Sequence, residues 1–343
     1  MAGPFASTLL LGSIFLLAAT TVPAVAGDDA SFYAGKQITF IVGTGAGGGN
    51  DLYARVLAPF LARFIPGNPT IVVQNMPGSD GTVAAAHVYS VAPKDGTVIA
   101  TSPSSMFLSE ALNPSRVRFD SRKFGWVGTI ATMTDVLAVF KSSGIETIED
   151  AKKKEIVIGG SGNFGLSSME PLLANAVLGT KFRVVRGYTG GDTVNLAMEQ
   201  HEIEGRTNQW ASWKVLRPEW IRDRSLSYLL QFGPKDPSLP GAVPAIRDLV
   251  TAPADRAMVD LLEIAQYMGR SVFAPPGLPP ERLAMLRDAF DKTMQDSAFA
   301  ARMKATNLEL YPRTAREIEA ELVQGSANRD KVVQEMKTRL NLN

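Results

Sequence analysis

The sequence predicts an α/β protein built from two doubly wound units, and three observations lead to this prediction. Short apolar, β-branched segments alternate with amphipathic helical segments along most of the chain. Loops rich in glycine and serine follow several of the predicted strands. The alternation also stops and starts again in the middle of the chain. Strand–helix–strand repeats are typical of right-handed crossovers between parallel strands, so we expect each unit to hold one mostly parallel sheet.

The first unit is predicted near the start of the chain. Its strands and helices alternate in the order Gln37–Val42, Asp51–Phe64, Thr70–Gln74, Thr82–Ala92 and Thr97–Thr101. In sheets of this type, ligands bind at the carboxyl ends of the strands. Gly43, Asn75 and Ser102 each follow a predicted strand, so we expect all three on one rim of the sheet.

The second unit begins with a long apolar, β-like run. Its elements are predicted at Trp126–Phe140, Ile145–Lys153, Glu155–Ile158, Ser167–Leu178, Phe182–Val185, Asp192–Glu199 and Glu204–Asn208. Two amphipathic helical stretches follow in the last third of the chain, Glu281–Gln295 and Ala315–Leu340, the second interrupted near Gly325.

Composition limits the classes of function. The 343 residues suffice for two domains, and 45% of them are hydrophobic, a normal share for a globular protein. With 35 basic and 34 acidic residues the net charge is +1, so no overall field attracts nucleic acid and we expect no nucleic-acid partner. Cysteine is absent, which excludes disulfides, thiolate metal sites and a cysteine nucleophile.

The amino-terminal segment predicts export. Residues 1–26 carry no charged side chain, Leu9–Ala19 is almost unbroken apolar sequence, and Ala24-Val-Ala26 has the small-x-small pattern of a signal-peptidase site. The alternative is an uncleaved membrane anchor, but the apolar run is shorter than the ~20 residues that a span needs. We therefore expect cleavage near Ala26.

The loop after the first strand allows three interpretations. Gly43–Gly48 matches the dinucleotide pattern G-x-G-x-x-G, but the second strand ends at Asn75, where that site needs an acidic residue. A triphosphate loop needs lysine after its last glycine, and Gly49-Asn-Asp51 stands there instead. The third interpretation is a site for a carboxylate or similar anion, held by backbone amides and the positive end of the following helix. A tight turn without a ligand remains the alternative.

Several separated motifs form a set. They are Tyr33–Val42 followed by Ala46–Asp51, then Val72–Gly78, Ala92–Gly96, Ser161–Asn163, Ala274–Gly277 and Pro280–Arg282. Together they resemble the receptors of tripartite tricarboxylate transporters, also called Bug or TctC-like proteins, over nearly all of the chain that follows the export signal.

The resemblance implies a type II periplasmic binding protein, a Venus flytrap with two doubly wound α/β lobes joined by a hinge. The first lobe would comprise residues 27–134 and 266–343, and the second residues 135–265. It further implies a monomer in the periplasm that captures a small carboxylate, without catalysis, cofactor or metal, and presents it to a permease with a large and a small subunit. A secreted hydrolase-like α/β enzyme and a ligand-presenting partner of a membrane sensor remain alternatives.

The resemblance also places ligand contacts in both lobes. In the first lobe they fall on Gly43, Thr44, Gly45, Ala46, Gly47, Gly48, Gly49, Asp51, Asn75, Ser102 and Ser104. In the second lobe they fall on Ser161, Gly162, Asn163, Phe164, Gly165, Ser167, Tyr188, Thr189, Gly190 and Asn208. Thr44, Met169 and Thr189 stand where the family usually has an aromatic residue, histidine and lysine, so we expect an unusual ligand preference.

Isolated residues give weaker signals. Arg186, Arg206 and Arg270 could each bind a carboxylate, although a salt bridge is the favoured interpretation. Trp210 could line the pocket, with core packing as the default. Asp51 is expected to cap an amide in the first turn of its helix more readily than to contact ligand. No carboxylate pair stands out as an acid–base dyad, and the two histidines have no partner at metal-ligand spacing.

Overall fold

A computed structural model describes residues 31–161, 164–188, 190–324 and 329–342, together with Met1 and Gly3. Apart from those two residues, the predicted signal segment 1–26 lies outside the described part of the chain, as do Gly162, Asn163 and Thr189. Within the described part, no helix is both long and apolar enough to cross a bilayer.

The described residues form eleven strands and fourteen α-helices. The strands are β1 (Gln37–Val42), β2 (Thr70–Asn75), β3 (Val98–Thr101), β4 (Gly125–Thr129), β5 (Asp135–Phe140), β6 (Ile156–Ser161), β7 (Phe182–Tyr188), β8 (Gly205–Gln209), β9 (Leu226–Phe232), β10 (Ser271–Ala274) and β11 (Arg313–Thr314). The helices are α1 (Gly49–Phe64), α2 (Thr82–Ser90), α3 (Ser105–Leu112), α4 (Ile148–Lys153), α5 (Leu166–Leu178), α6 (Gly191–Glu199), α7 (Trp210–Leu216), α8 (Pro218–Arg222), α9 (Ile246–Leu249), α10 (Pro253–Met268), α11 (Pro280–Gln295), α12 (Ser297–Ala305), α13 (Ala315–Gln324) and α14 (Arg329–Arg339).

Two sheets organise these elements, as the sequence predicts. The first sheet has the order β11-β4-β10-β3-β1-β2, and the second has the order β7-β6-β8-β5-β9. In the first sheet, Val42 of β1 pairs with Asn75 of β2 and with Thr101 of β3. The carboxyl ends of these three parallel strands therefore share one rim, and the predicted placement of Gly43, Asn75 and Ser102 on that rim is confirmed.

The expectation of mostly parallel sheets is wrong in detail. β1 lies parallel to β2 and β3, and β6 lies parallel to β7 and β8, but β10 is antiparallel to β3 and β4, and β5 is antiparallel to β8 and β9. Strand composition predicts burial, whereas strand direction depends on the path between strands. Here the chain crosses between the sheets and returns, which adds antiparallel strands to a parallel core.

The crossing segments lie side by side between the sheets. The predicted β-run Trp126–Phe140 divides into β4 and β5, and residues 130–134 pass from the first sheet to the second. The return path enters β10 through Arg270. The Ile130 N–H donates to the Arg270 carbonyl at 3.1 Å, and the Arg270 N–H donates to the Ala131 carbonyl at 2.9 Å. Arg270 is therefore fixed where the two units meet.

Helix α10 connects the two units by packing. It packs against α3 and α14 of the first unit and against α5 of the second. Its inner face is buried and includes two polar side chains, Glu263 and Gln266, each 0% exposed. This helix is not among the elements predicted from the sequence, and neither are β9 and β10, which precede and follow it.

Candidate functional site

Two cavities meet where the chain crosses between the sheets. The first chamber has a volume of about 200 Å³ and is lined by Pro103, Ser104, Ser105, Met133, Asp135, Ser161, Gly165, Leu166, Ser167, Glu170, Arg206, Thr207, Asn208, Gln209 and Arg270. The second chamber has a volume of about 310 Å³ and is lined by Gly47–Gly49, Leu52, Tyr53, Ala131–Thr134, Asp192, Gln209, Ala211, Ser212, Val215, Leu216, Arg270 and Thr306–Glu309. Met133, Gln209 and Arg270 line both.

The predicted contact residues are divided between these chambers. Ser104, Ser161, Gly165, Ser167 and Asn208 line the first chamber, whereas Gly47, Gly48 and Gly49 line the second. Neither chamber is lined by the other described residues of the prediction, which are Gly43, Thr44, Gly45, Ala46, Asp51, Asn75, Ser102, Phe164, Tyr188 and Gly190. The glycine loop (Gly43–Asp51) and the loop that begins at Ser161 thus face different parts of the cleft.

Asp51 holds the glycine loop in shape from within. Its carboxylate accepts hydrogen bonds from the Gly47 N–H at 2.8 Å, Arg55 Nε at 2.9 Å and Asn75 Nδ2 at 2.9 Å. Burial alone would raise the pKa of Asp51, but the hydrogen bonds from Arg55, Gly47 and Asn75 lower it below its usual value. Asp51 is the third residue of α1, so it reaches back to an amide before the helix rather than to the N2 or N3 amide that we expected.

Asn75 completes this arrangement. Its Nδ2 donates to the Thr44 carbonyl at 3.0 Å, and its Oδ1 accepts from Arg55 Nη2 at 3.0 Å. Ser102 is similarly occupied, because its hydroxyl donates to the Gly81 carbonyl at 3.2 Å. These predicted contact residues shape the rim in this structure.

The loop that begins at Ser161, in the second unit, lines the first chamber with serine and glycine residues. The Ser161 N–H donates to Ser167 Oγ at 3.0 Å, and the two hydroxyl oxygens lie 3.1 Å apart. A Cβ on Gly165 would lie 2.3 Å from the Ser161 carbonyl oxygen, so the turn admits only glycine. Gly165 also immediately precedes the 13-residue helix α5, whose amide-bearing end is therefore at the chamber wall.

Arg270 provides a cation between the two chambers. Its Nη1 donates to Asn50 Oδ1 and its Nη2 donates to Gln209 Oε1, both at 2.7 Å, and the guanidinium lies 5.4 Å from the Tyr53 ring centre. Both acceptors are neutral, and within the described residues no carboxylate forms an ion pair with Arg270. Burial lowers the pKa of Arg270 below its usual value, but a guanidinium stays protonated at neutral pH.

Arg206 brings a second cation to the first chamber. It is only 4% exposed and donates through Nη1 to the Gly191 carbonyl at 2.7 Å and to Asn195 Oδ1 at 2.9 Å. Burial lowers its pKa to about 10, which leaves it charged at neutral pH. The salt bridge that we favoured for Arg206 and Arg270 is therefore wrong within the described residues, because both guanidinium groups are held by neutral acceptors. Arg186 is exposed and lines neither chamber.

A carboxyl pair that was not predicted from the sequence forms part of the first chamber. Asp135 begins β5 and is 4% exposed, whereas Glu170 in α5 is 0% exposed. Gln266 of α10 donates through Nε2 to Glu170 Oε1 at 2.6 Å and to Asp135 Oδ2 at 3.2 Å. Burial and the neighbouring Asp135 charge raise the pKa of Glu170 well above its usual value, and burial raises that of Asp135. One signal was available: Glu170 is the single acidic residue of its apolar helix.

Three polar atoms of the first chamber lack a hydrogen-bond partner. They are Glu170 Oε2, Thr207 Oγ1 and Asn208 Nδ2. Asn208 Oδ1 accepts from Arg206 Nη2 at 3.4 Å, which leaves its amide nitrogen free to donate. Buried polar atoms without partners are uncommon in folded proteins, so these three mark a surface that is suited to a polar ligand.

The geometry resolves the interpretation of Trp210. Trp210 is 3% exposed, donates from Nε1 to Ser238 Oγ at 2.8 Å and lines neither chamber, so core packing is confirmed. Within the described ranges, no cluster of three or more histidine, cysteine, aspartate or glutamate side chains is arranged to hold a metal ion.

Two sheets with a polar cleft at their crossing segments are the architecture of periplasmic binding proteins, and solved structures show this likeness. A TctC solute-binding protein from Polaromonas is 17% identical, with a TM-score of 0.67, over 88% of this chain and 99% of that one. MatC from Rhodopseudomonas palustris with bound malate is 18% identical, with a TM-score of 0.61, over 89% and 99%. A second Rhodopseudomonas palustris protein, with adipate, is 17% identical, with a TM-score of 0.64, over 89% and 97%.

Sequence comparison finds distant relatives that match over most of their length. A UPF0065 protein of Bordetella bronchiseptica is 24% identical over 323 residues, which cover 90% of this chain and 93% of that protein. No protein-family profile matches the chain. The predicted fold class, the two-lobed α/β fold of periplasmic binding proteins, is confirmed, and so is the predicted resemblance to Bug and TctC proteins.

Proposed function

We propose that this chain is a periplasmic receptor of the tripartite tricarboxylate transporter type. It captures a small organic anion, a mono- or dicarboxylate, between two lobes and delivers it to a permease with a large and a small subunit. The observation that carries this proposal is the pair of guanidinium groups, Arg206 and Arg270, which line the first chamber without a carboxylate partner in the described residues.

The lobes follow from the crossing segments. We place the first lobe at residues 27–134 and 266–343, which contain the first sheet, and the second lobe at residues 135–265, which contain the second. Arg270 donates to Asn50 of the first lobe and to Gln209 of the second, so it bridges them at the hinge. A carboxylate that binds both Arg270 of the first lobe and Arg206 of the second would be contacted from both lobes, which is the requirement for ligand-driven closure.

The contact residues divide into two roles. Ser104, Ser161, Ser167 and Asn208 supply hydroxyl and amide groups to the ligand, and Gly47–Gly49 line the neighbouring chamber. Asp51 and Asn75 hold the glycine loop rather than the ligand. Two solved structures of this fold carry dicarboxylates, malate and adipate, which supports the ligand class.

A second candidate function is hydrolysis, because Asp135 and Glu170 form the kind of carboxyl pair that acid–base enzymes use. Gln266 and the surrounding helices enclose both groups, and the solved structures with this fold are binding proteins. We therefore assign binding, and the experiment below distinguishes the two functions.

The test is a screen of mono- and dicarboxylates against the purified mature chain, with the melting temperature as the readout. A ligand that binds only the folded state raises the melting temperature, and isothermal titration then gives its affinity. NMR spectra of the ligand after prolonged incubation should show it unchanged, whereas conversion would favour the hydrolase. If no carboxylate stabilises the protein, the receptor proposal is wrong.

Export and delivery need separate measurements. Mass spectrometry of the protein from the periplasmic fraction should show a chain that starts at Gly27. Uptake of the bound acid by membrane vesicles that contain the permease should require the added receptor. Uptake without it would assign the chain to another partner, such as a membrane sensor.

A further inference from the structure

The carboxyl pair of the first chamber sets the charge and the hydrogen-bonding groups that a ligand meets there. Asp135 and Glu170 come from different elements, β5 and α5, and converge on one amide donor, Gln266 Nε2. A single donor cannot satisfy two carboxylates that are both almost fully buried. Two enclosed carboxyl groups therefore share one proton, as like charges at close range do not both ionise.

The surroundings decide which group holds that proton. Glu170 faces Asp135 and, from α10, Gln266 and Glu263, and Glu263 is already paired with Arg247 at 2.7 Å. The ionised form of Asp135 is stabilised by two cations, Arg270 and Arg206. Glu170 is therefore the neutral acid, and Asp135 is the anion that lines the chamber.

This assignment fixes the charge of the first chamber. Arg206 and Arg270 are positive, Asp135 is negative and Glu170 is neutral, so the lining carries one net positive charge. A ligand with one net negative charge neutralises it. A ligand with two would leave an excess negative charge in an enclosed site.

The same lining presents both donors and acceptors. Asn208 Nδ2 and the Thr207 hydroxyl lack partners and can donate to a ligand carboxylate. Asp135 can only accept. The Gln266 amide and the shared proton occupy two of its acceptor sites, and a ligand hydroxyl can donate to a further site that a ligand without a donor leaves unfilled. An ammonium group could donate, but an amino acid with one carboxylate brings no net negative charge.

We propose that the first chamber selects a hydroxycarboxylate of net charge −1, whose carboxylate binds the arginine side and whose hydroxyl donates to Asp135. This inference rests on the proposed receptor function and narrows it to a ligand class. Sites that are built to bind a hydroxyl reject the analogue without it strongly, because their own polar group then stays unpaired.

The test uses matched acids that differ only in one substituent. Propionate, lactate and alanine form one such set, and butyrate, 3-hydroxybutyrate and 3-aminobutyrate form another. Succinate and malate add a second negative charge. Isothermal titration at pH 7 should show a hydroxylated monocarboxylate binding at least tenfold more tightly than its unsubstituted and amino analogues in at least one set.

Two variants connect this preference to the pair. Asp135→Asn should reduce the preference for the hydroxyl to about threefold or less, since the amide can no longer act as an anionic acceptor. Wild-type affinity should fall as pH rises and Glu170 loses its proton. Glu170→Gln keeps a neutral group of the same shape, so the affinity of this variant should not depend on pH in this way. Asp288→Asn, an exposed carboxylate in α11, is the control.

The outcomes separate the two proposals. If carboxylates bind but the unsubstituted or amino acid is the tightest in every set, the inference is wrong and the receptor function stands. An unchanged preference in a folded Asp135→Asn protein, checked by its melting curve, would also overturn the inference. If no acid of any set binds, the receptor function itself fails.

Discussion

The glycine loop and the wall of the first chamber differ in how their polar groups are satisfied. In the glycine loop, Asp51 and Asn75 bond to each other, to Arg55 and to the loop backbone. In the chamber wall, Arg270 is held by neutral acceptors, and Thr207 and Asn208 keep unpartnered atoms. Satisfied groups fix a scaffold, whereas unsatisfied groups mark the place for a ligand.

Because of this difference, the residues whose mutation should weaken ligand binding are not the ones that the resemblance implies. The resemblance assigned both loops to ligand contact. In this structure the glycine loop lies outside the first chamber, because only Gly47–Gly49 reach a cavity, and that cavity is the second one. The three substitutions below, two of them with a matched control, are given in order of decreasing expected effect. They test whether losses of stability and losses of affinity fall on different residues.

The largest effect is expected for Arg270→Met. Methionine fills a similar volume but removes the cation that bridges the two lobes, and loss of a buried charged contact costs about 2–5 kcal/mol of binding. Carboxylate affinity should fall at least about 25-fold in isothermal titration, by the conversion of about 1.4 kcal/mol per tenfold. The variant should fold but melt at a lower temperature than wild type, because Asn50 and Gln209 lose their donor and the Asp135 anion loses a stabilising cation.

The matched control for that variant is Arg247→Met. It also removes a guanidinium, but it leaves the buried Glu263 carboxylate, which is 0% exposed, without its partner. Urea denaturation should show a clear loss of stability, and carboxylate affinity should stay within a few-fold of wild type. Equal affinity losses in Arg247→Met and Arg270→Met would show that the lack of an ion-pair partner does not identify Arg270 as a ligand contact.

Asp51→Ala should have the next largest effect, on stability. It removes three hydrogen bonds to a carboxylate whose side chain is 2% exposed, so the free energy of unfolding should fall by about 2 kcal/mol. The folded pKa of Asp51 lies below its unfolded value, so its contribution is complete at neutral pH and is lost as pH falls through the folded pKa. The difference between wild type and variant in urea titrations should therefore shrink in acid. A difference that is constant with pH would argue against the charged network.

More of the fold than of the candidate site could be predicted from the sequence. Periodicity and loop composition located β1, β2, β3, β6, β7 and β8, because buried strands and helix starts leave local signals. The chamber depends on contacts between distant segments. Glu170 and Gln266 are 96 positions apart, and Arg270 and Asn50 are 220 apart. No local pattern shows which buried polar side chains will meet, so the carboxyl pair was missed and Arg270 was interpreted as a salt bridge.

The smallest effect should come from Thr207→Val. Thr207 is 0% exposed and its hydroxyl has no partner, so valine, which has nearly the same shape, should leave the free energy of unfolding unchanged or slightly higher. If the hydroxyl binds the ligand carboxylate, its loss should weaken binding about three- to tenfold, in line with about 1 kcal/mol for one hydrogen bond. Thr101→Val is the control, because the Thr101 hydroxyl is also buried without a partner but lines neither chamber. Its affinity should match that of wild type, whereas equal losses in both variants would mean that an unpartnered hydroxyl near the cleft does not identify a ligand contact.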